Sequence, residues 1–254
     1  YMGGFPENVV EFHKIKKRFN CLLIEDACHT FGAQYRFNKK LIKVGACKHS
    51  DISTFSLHPI KPITTGEGGI ITTNNELIAK KIKNFRSHGI IRSLKFHWQY
   101  DILQSGYNYR LSDINSAFGI SQLKKIKTFL KHRKKIYKYY KVELNKYKNI
   151  INFPKYDIKN KSSYHLVLIN INFRRLRSNK DLFLKYLYSK NIICQFHYIP
   201  IYKFALYNNK TIKLKASEEY YKSILSIPIY HEFDRKKQNK VIKNIKNFIV
   251  NKKI

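Results

Sequence analysis

The sequence predicts an α/β fold, with a mixed sheet in a first, larger domain and a smaller α/β domain after it. Three observations carry that prediction. Residues 21–24 form a short, continuous apolar run, as expected of a buried parallel strand, and 52–57 and 70–73 read as further short strands. Between and after them come helical patterns, with apolar residues three and four apart. The first run ends in Glu25-Asp26-Ala27-Cys28-His29. The carboxyl ends of strands are where open α/β sheets hold ligand-contacting groups.

Taken in order, residues 7–19 read as an amphipathic helix with Val9, Phe12, Ile15 and Phe19 on one face. Residues 21–24 read as a buried parallel strand, 52–57 and 70–73 as its sheet neighbours. Residues 75–87 form a helix with Leu77, Ile78, Ile82 and Phe85 inward. The stretch 88–106 has no clear period, holds the only tryptophan, Trp98, and reads as a long loop. Ser112 is placed as the N-cap of a helix running to about residue 124. A second, longer helix is predicted over 125–147, with Ile126, Phe129, Ile136 and Tyr140 inward. A shift to Lys/Tyr-rich composition sets the domain boundary near residue 128, dividing the chain into 1–128 and 129–254. The second part alternates strand 164–170, helix 181–190, strand 192–198, a helical segment 218–225, an extended 227–230 and a helix 234–250. Val241, Ile242, Ile245 and Ile249 form the apolar stripe of that last helix.

Composition excludes several classes. The 254 residues carry 50 Lys+Arg against 16 Asp+Glu, a formal charge of +34. That balance invites a nucleic-acid partner. The basic residues are mostly lysines spread along the chain among Asn, Ile, Tyr and Phe, which fits drift toward AT-rich codons better than a binding patch. The densest cluster, residues 131–138, reads as the solvated face of a helix, so no nucleic-acid partner is expected. No apolar run approaches the roughly 20 residues that cross a bilayer, and no membrane association is expected. Cys21, Cys28, Cys47 and Cys194 have no C-x-x-C or metal-ligand spacing. They read as reduced thiols of a cytoplasmic protein, with no metal.

The stretch 53–73, S-T-F-S-L-H-P-I-K-P-I-T-T-G-E-G-G-I-I-T-T, organises the first domain. Lys61 lies between Pro59 and Pro62. Proline fixes its own φ and turns the preceding residue from the helical region, so Lys61 is held in an extended or turn conformation between two strands. Such a lysine is either a surface lysine in a β-turn or a Schiff-base lysine for an aldehyde cofactor. Asp26 is likewise either a turn cap or a site carboxylate.

Three ordered motifs resolve these alternatives by resemblance. I-E-D-A-C-H (24–29), F-S-L-H-P-I-K-P-I-T-T-G-E-G-G (55–69) and G-Y-N-Y-R-L-S-D-I (106–114) resemble the DegT/DnrJ/EryC1 sugar aminotransferases over nearly the whole chain. The second motif most resembles the pseudaminic acid branch. The resemblance implies a pyridoxal-phosphate (PLP) transferase of fold type I. Lys61 would carry the cofactor and shuttle the substrate proton. Asp26 would pair with the pyridinium nitrogen and keep it protonated. His29 would lie near the ring's phenolic oxygen, Ser56 would bind the phosphate, and Asn108 would reach the phosphate in a partner subunit, which implies a homodimer with a shared site. His165 and residues 197–202 match positions near a sugar nucleotide. The implied reaction is transamination of a UDP-4-keto-6-deoxy-N-acetyl sugar with L-glutamate as donor. Related dehydratases carry histidine where Lys61 stands, which favours transamination.

The family's large domain begins before the point matched by Tyr1. Its Gly/Ser/Thr phosphate turn and ring-stacking aromatic have no counterpart in these residues, so the resemblance implies a truncated large domain. The alternative expectation is a non-catalytic remnant, or a basic binding protein with an inherited fold.

Overall fold

The computed structural model describes residues 1–207 and 211–251. The chain divides into two compact units. The first comprises Tyr1–Thr128 with Asp157–Ser163, the second Phe129–Tyr156 with Tyr164–Ile254.

In the first unit, α1 (Val9–Phe19) is the expected helix, but only Val9 of its apolar stripe is buried. Phe12, Ile15 and Phe19 are 48–65 % exposed or within that range, correcting the inward face read from the sequence. Periodicity reports which side chains share a face; whether that face is covered depends on what packs there. Strand β1 (Ile24–Asp26) follows, then the hairpin β2 (Gln34–Phe37) and β3 (Lys40–Lys43), which the sequence did not announce. Strand β4 (Ile52–Ser56) lies between β1 and β5 (Gly69–Thr72). It runs parallel to β1 and antiparallel to β5, so the sheet is mixed, as expected.

Side chains alternate across this sheet. Glu25, Ser53 and Phe55 are buried on one face. Ile24 and Ile71, on the other, are 58 % and 50 % exposed. The expected fully buried strand over 21–24 is thus corrected: Cys21 and Leu22 precede β1 and are exposed. An apolar run does not by itself distinguish a strand covered on both faces from one covered on one.

Helix α2 (Glu76–Arg86) is capped by the Asn75 side chain, which accepts from the Ile78 amide at 3.1 Å. None of its residues is fully buried, and Leu77 is 73 % exposed. The stretch read as a long loop contains an antiparallel pair, β6 (Ile90–Arg92) and β7 (Tyr100–Ile102). The two helices expected over 112–147 are one, α3 (Asp113–Leu144). Ser112 caps it as anticipated, accepting from the Asn115 amide at 3.2 Å. No proline interrupts residues 113–144, so nothing in the backbone requires a break at 124.

Asp51, just before β4, ties the start of the sheet to α1. Its carboxylate accepts from the Leu23 amide at 2.8 Å and the Lys16 ammonium at 2.7 Å. Burial pushes this carboxyl up, but those two donors outweigh it and hold it below the usual range. Its folded value is depressed, so its stabilisation is present above the ordinary carboxyl pKa of about 3.9 and is lost as pH falls through the folded value. Asp51→Asn is expected to cost about 1–2 kcal/mol at pH 7. The gap to the parent protein should close in strong acid, as read by urea unfolding at several pH values.

In the second unit, β8 (Ile151–Asn152), β9 (Val167–Ile171) and β10 (Ile224–Ile227) form an antiparallel sheet in the order β10-β9-β8. Helix α4 (Lys180–Ser189) follows β9, α5 (Lys215–Ser223) precedes β10, and α6 (Arg235–Asn251) closes the fold. Val241, Ile242, Ile245 and Ile249 are all buried, as the stripe predicted. Phe183 of α4 is fully buried and meets Phe248 of α6 edge-on at 4.9 Å. Gln238 of α6 donates to the Ile136 carbonyl of α3 at 2.7 Å.

Two expectations are corrected here. Residues 192–198 form no strand; Gln195 makes a single bridge to Ser226, and Ile193 is 65 % exposed. The helix expected to reach 225 stops at Ser223, because all four residues of β10 are buried where they pair with β9.

Candidate active site

Asp26 ends β1 and stands opposite Thr54 of β4. Directly paired residues share a face, so Asp26, Thr54 and, two residues on, Ser56 present their side chains on the same side of the sheet. Strand β4 then feeds the connector that carries Lys61. The Lys61 amide donates to the His58 carbonyl at 2.9 Å, closing a turn across Pro59. Threonines hold the rest of this connector. Thr64 donates its hydroxyl to the Leu57 carbonyl at 2.8 Å, and the Thr65 hydroxyl donates to the Glu67 carbonyl at 2.6 Å. The Leu57 amide donates to the Gly68 carbonyl at 2.9 Å, drawing the two ends of the connector together. From α3, the Asn115 amide group donates to the Thr65 carbonyl at 2.9 Å. The proline-flanked lysine therefore sits on a braced turn.

Lys61 is half-buried, and its charge is felt by Cys28 and Asp26. Burial lowers its ammonium pKa; the Cys28 thiol and the Asp26 carboxylate act in the opposite direction without cancelling the shift. Burial pushes the Asp26 carboxyl up. Hydrogen bonds from Cys28 and the charge of His29 act against that, and the carboxyl lies below its ordinary value. The Cys28 amide donates to Asp26 Oδ1 at 3.1 Å. An ionised carboxylate thus faces an amine that loses its proton more readily than a free lysine.

The structure gathers some of the expected residues and not others. Around the end of β1, the charge of His29 acts on Asp26 and that of Asp26 on Lys61. His29 Nδ1 accepts from the Gly3 amide at 3.3 Å. Ser56 shares the Asp26 face, and its hydroxyl oxygen accepts from the His58 amide at 3.3 Å. Asn108 lies apart, exposed, in a segment whose backbone bridges to Ser87. His165 is buried in the second unit, where its carbonyl accepts from Arg133 at 3.2 Å. Sequence reasoning missed Cys28, which orients Asp26 through its backbone. Its signal was its place two residues past an Asp, the geometry of an Asx turn. Glu67, which had no assigned chemistry, lies 3.7 Å from His58 Nε2.

A sequence model of the DegT/DnrJ/EryC1/StrS aminotransferase family matches residues 1–246. The chain belongs to that family. A UDP-4-amino-4,6-dideoxy-N-acetyl-beta-L-altrosamine transaminase of Campylobacter jejuni is 41 % identical over 239 residues, covering 91 % of this chain and 60 % of that protein. The structure of Helicobacter pylori PseC, described as an aminotransferase of pseudoaminic acid biosynthesis, superposes with a TM-score of 0.89 at 31 % identity, covering 98 % of this chain and 65 % of PseC. A more distant fold match is a Streptococcus pneumoniae sugar aminotransferase solved in its PLP form, with a TM-score of 0.83 at 20 % identity, covering 99 % of this chain and 67 % of that one. The DegT-family chain thus spans about 60 % of the length of the curated relatives it matches. Its α/β fold is that of PseC over the shared length. Among the described residues, no helix is long and apolar enough to cross a membrane, and no cluster of His, Cys, Asp and Glu could hold a metal ion.

Proposed function

We propose that this chain serves a PLP-dependent sugar-nucleotide aminotransferase of fold type I. In this reading it moves an amino group from L-glutamate to a UDP-4-keto-6-deoxy-N-acetyl sugar, as in pseudaminic acid biosynthesis. The observation that carries the reading is Lys61, on its braced turn, with its ammonium pKa lowered and the Asp26 carboxylate acting on it from the end of β1. That donor set fits the group. An aldehyde cofactor needs an amine that can shed its proton, and a pyridine nitrogen needs an anion to stay protonated.

When bound, PLP supplies the electron sink for breaking a bond at the amino-bearing carbon. The remaining work falls to the chain. Lys61 Nζ would hold the cofactor and, when free, would take a proton from one carbon and return it to another. Asp26, oriented by the Cys28 amide, would stay ionised and pair with the ring nitrogen. His29 would flank the ring's phenolic oxygen and Ser56 would hold the phosphate. Asn108, exposed and set apart from Asp26 and Lys61, is assigned to the phosphate of a partner subunit, which makes the active unit a homodimer. The domain boundary lies near residue 128, and the protein is cytoplasmic.

The apolar surface of the first unit supports one further element of the reading. Ile24, Ile71, Leu77, Ile114 and Trp98 are each at least half exposed. Large apolar side chains left this exposed are candidates for burial against further protein. Catalysis is therefore expected to need the partner subunit and the segment corresponding to the part of the relatives that this chain does not span. The test is glutamate-to-2-oxoglutarate conversion with the UDP-4-keto sugar. It is measured on residues 1–254 and on the same chain joined to the unspanned part of the C. jejuni relative. The joined protein should turn over as a dimer and the 254-residue chain should not. Equal turnover by both would remove the requirement; none by either would overturn the proposed reaction.

A further inference from the structure

A cavity of about 630 Å³ opens in the second unit, away from Asp26 and Lys61 in sequence and formed wholly within that unit. It lies where β9 ends and α4 begins, and the last turn of α5 closes one side. We propose that it binds a small phosphate-bearing anion, held by Lys180 from within and by Arg174 and Lys222 from the rim.

Lys180 carries the argument. Only 9 % of this residue is exposed. Its ammonium donates to the Tyr221 carbonyl and sits 3.6 Å from the centre of the Tyr221 ring and 4.6 Å from that of Phe196. Among the described residues, no carboxylate comes within 4 Å of it. A buried cation met by two ring faces and one carbonyl is short of counter-charge. Burial lowers its pKa, with the more distant Asp181 acting against that shift. An anion in the cavity would supply what Lys180 lacks, and the ammonium has further protons to donate.

A second observation is independent of the first. The Ser178 hydroxyl is buried in the cavity wall without a hydrogen-bond partner. Buried hydroxyls are normally satisfied, so this one is free to take a partner from an occupant of the cavity. The setting agrees with both. The site is at the carboxyl end of the middle strand of its sheet and at the amino end of a ten-residue helix, where backbone N–H groups and the helix dipole favour negative charge. Arg174 and Lys222 are exposed at the rim and form no ion pair among the described residues. Asp181 and Glu219 also line the cavity, which leaves its lining a net charge of +1. Selectivity must therefore come from the placement of Lys180 and not from bulk positive charge. The inference does not depend on the aminotransferase reading.

The experiment titrates residues 1–254 with inorganic phosphate and, separately, with citrate, by calorimetry and by amide NMR shifts. Saturable one-site phosphate binding is expected, with the largest shifts at 178–182 and 221–223. Arg174→Gln combined with Lys222→Gln should weaken it about tenfold or more. Lys138→Gln combined with Lys141→Gln, an equal loss of exposed charge on α3, should change it less than about twofold. Lys180→Met should abolish binding; if that variant does not fold, the rim pair still decides. The proposal is overturned by non-saturable binding, by equal weakening in the α3 control, by an unaffected rim variant, or by citrate binding as tightly as phosphate.

Discussion

Borohydride treatment after incubation with PLP is expected to fix one cofactor on Lys61 and to leave Lys61→Ala without a stable visible chromophore. The contrast should be close to all-or-none, because no other lysine is described on a proline-flanked turn that faces a carboxylate at the end of β1. In a protein competent for turnover, loss of the covalent anchor and of the proton shuttle together should cost at least about 10³-fold. Tryptic mass spectrometry of the reduced protein gives the site. The protein carries 50 lysines and arginines, so surface labelling is the competing outcome. Label distributed over many lysines, or undiminished in Lys61→Ala, would refute the assignment. Glutamate should bleach the chromophore before reduction and protect Lys61 from labelling.

Gly106→Ala is expected to destabilise the first unit strongly. A Cβ there would lie 2.3 Å from the Gly89 amide nitrogen, 2.5 Å from the His88 carbonyl carbon and 2.9 Å from the Phe85 carbonyl oxygen. All three are backbone atoms with little freedom to move. Gly89 is constrained in turn by its positive φ of 72°, and a Cβ on it would lie 1.9 Å from the Gln104 carbonyl oxygen. Close approach lets the Tyr107 amide donate to the Phe85 carbonyl at 2.8 Å and the Tyr109 amide donate to the Arg86 carbonyl at 2.9 Å. Separating these strands of backbone should cost about 3 kcal/mol. It should also displace Asn108, which lies between those two hydrogen bonds. Denaturant unfolding measures the first effect. Hydrogen exchange at the Tyr107 and Tyr109 amides measures the second. The exposed Ser105→Ala serves as the neutral control, and a Gly106→Ala loss below about 0.5 kcal/mol would show that the loop relaxes freely.

What the sequence determined by itself was the local chemistry. Proline on either side of Lys61 restricts the backbone whatever surrounds it, so the turn was legible from residues 59–62. The Ser112 cap and the α6 stripe were legible for the same reason, since a capping hydroxyl and a 3.6-residue period act within a few residues. The three motifs carried the family. Tertiary structure decided what coverage and pairing decide. The stripes of α1 and α2 have the right period, yet Phe12, Phe19 and Leu77 remain exposed, because burial depends on a partner surface that helical spacing does not encode. The β6–β7 pair stayed hidden inside an aperiodic stretch because each three-residue strand is too short to show alternation. In the sequence Gly106 is only the first residue of the G-Y-N-Y-R motif, and the folded backbone shows that it lies against Phe85, His88 and Gly89. Lys180 shows the same division. Its sequence neighbours mark it as one more helical lysine, while the rings of Tyr221 and Phe196 that enclose its charge arrive from residues 41 and 16 positions away. Local steric and capping rules act through adjacent atoms and are written in order along the chain. Burial, counter-charge and close backbone approach depend on distances that exist only once distant segments have packed.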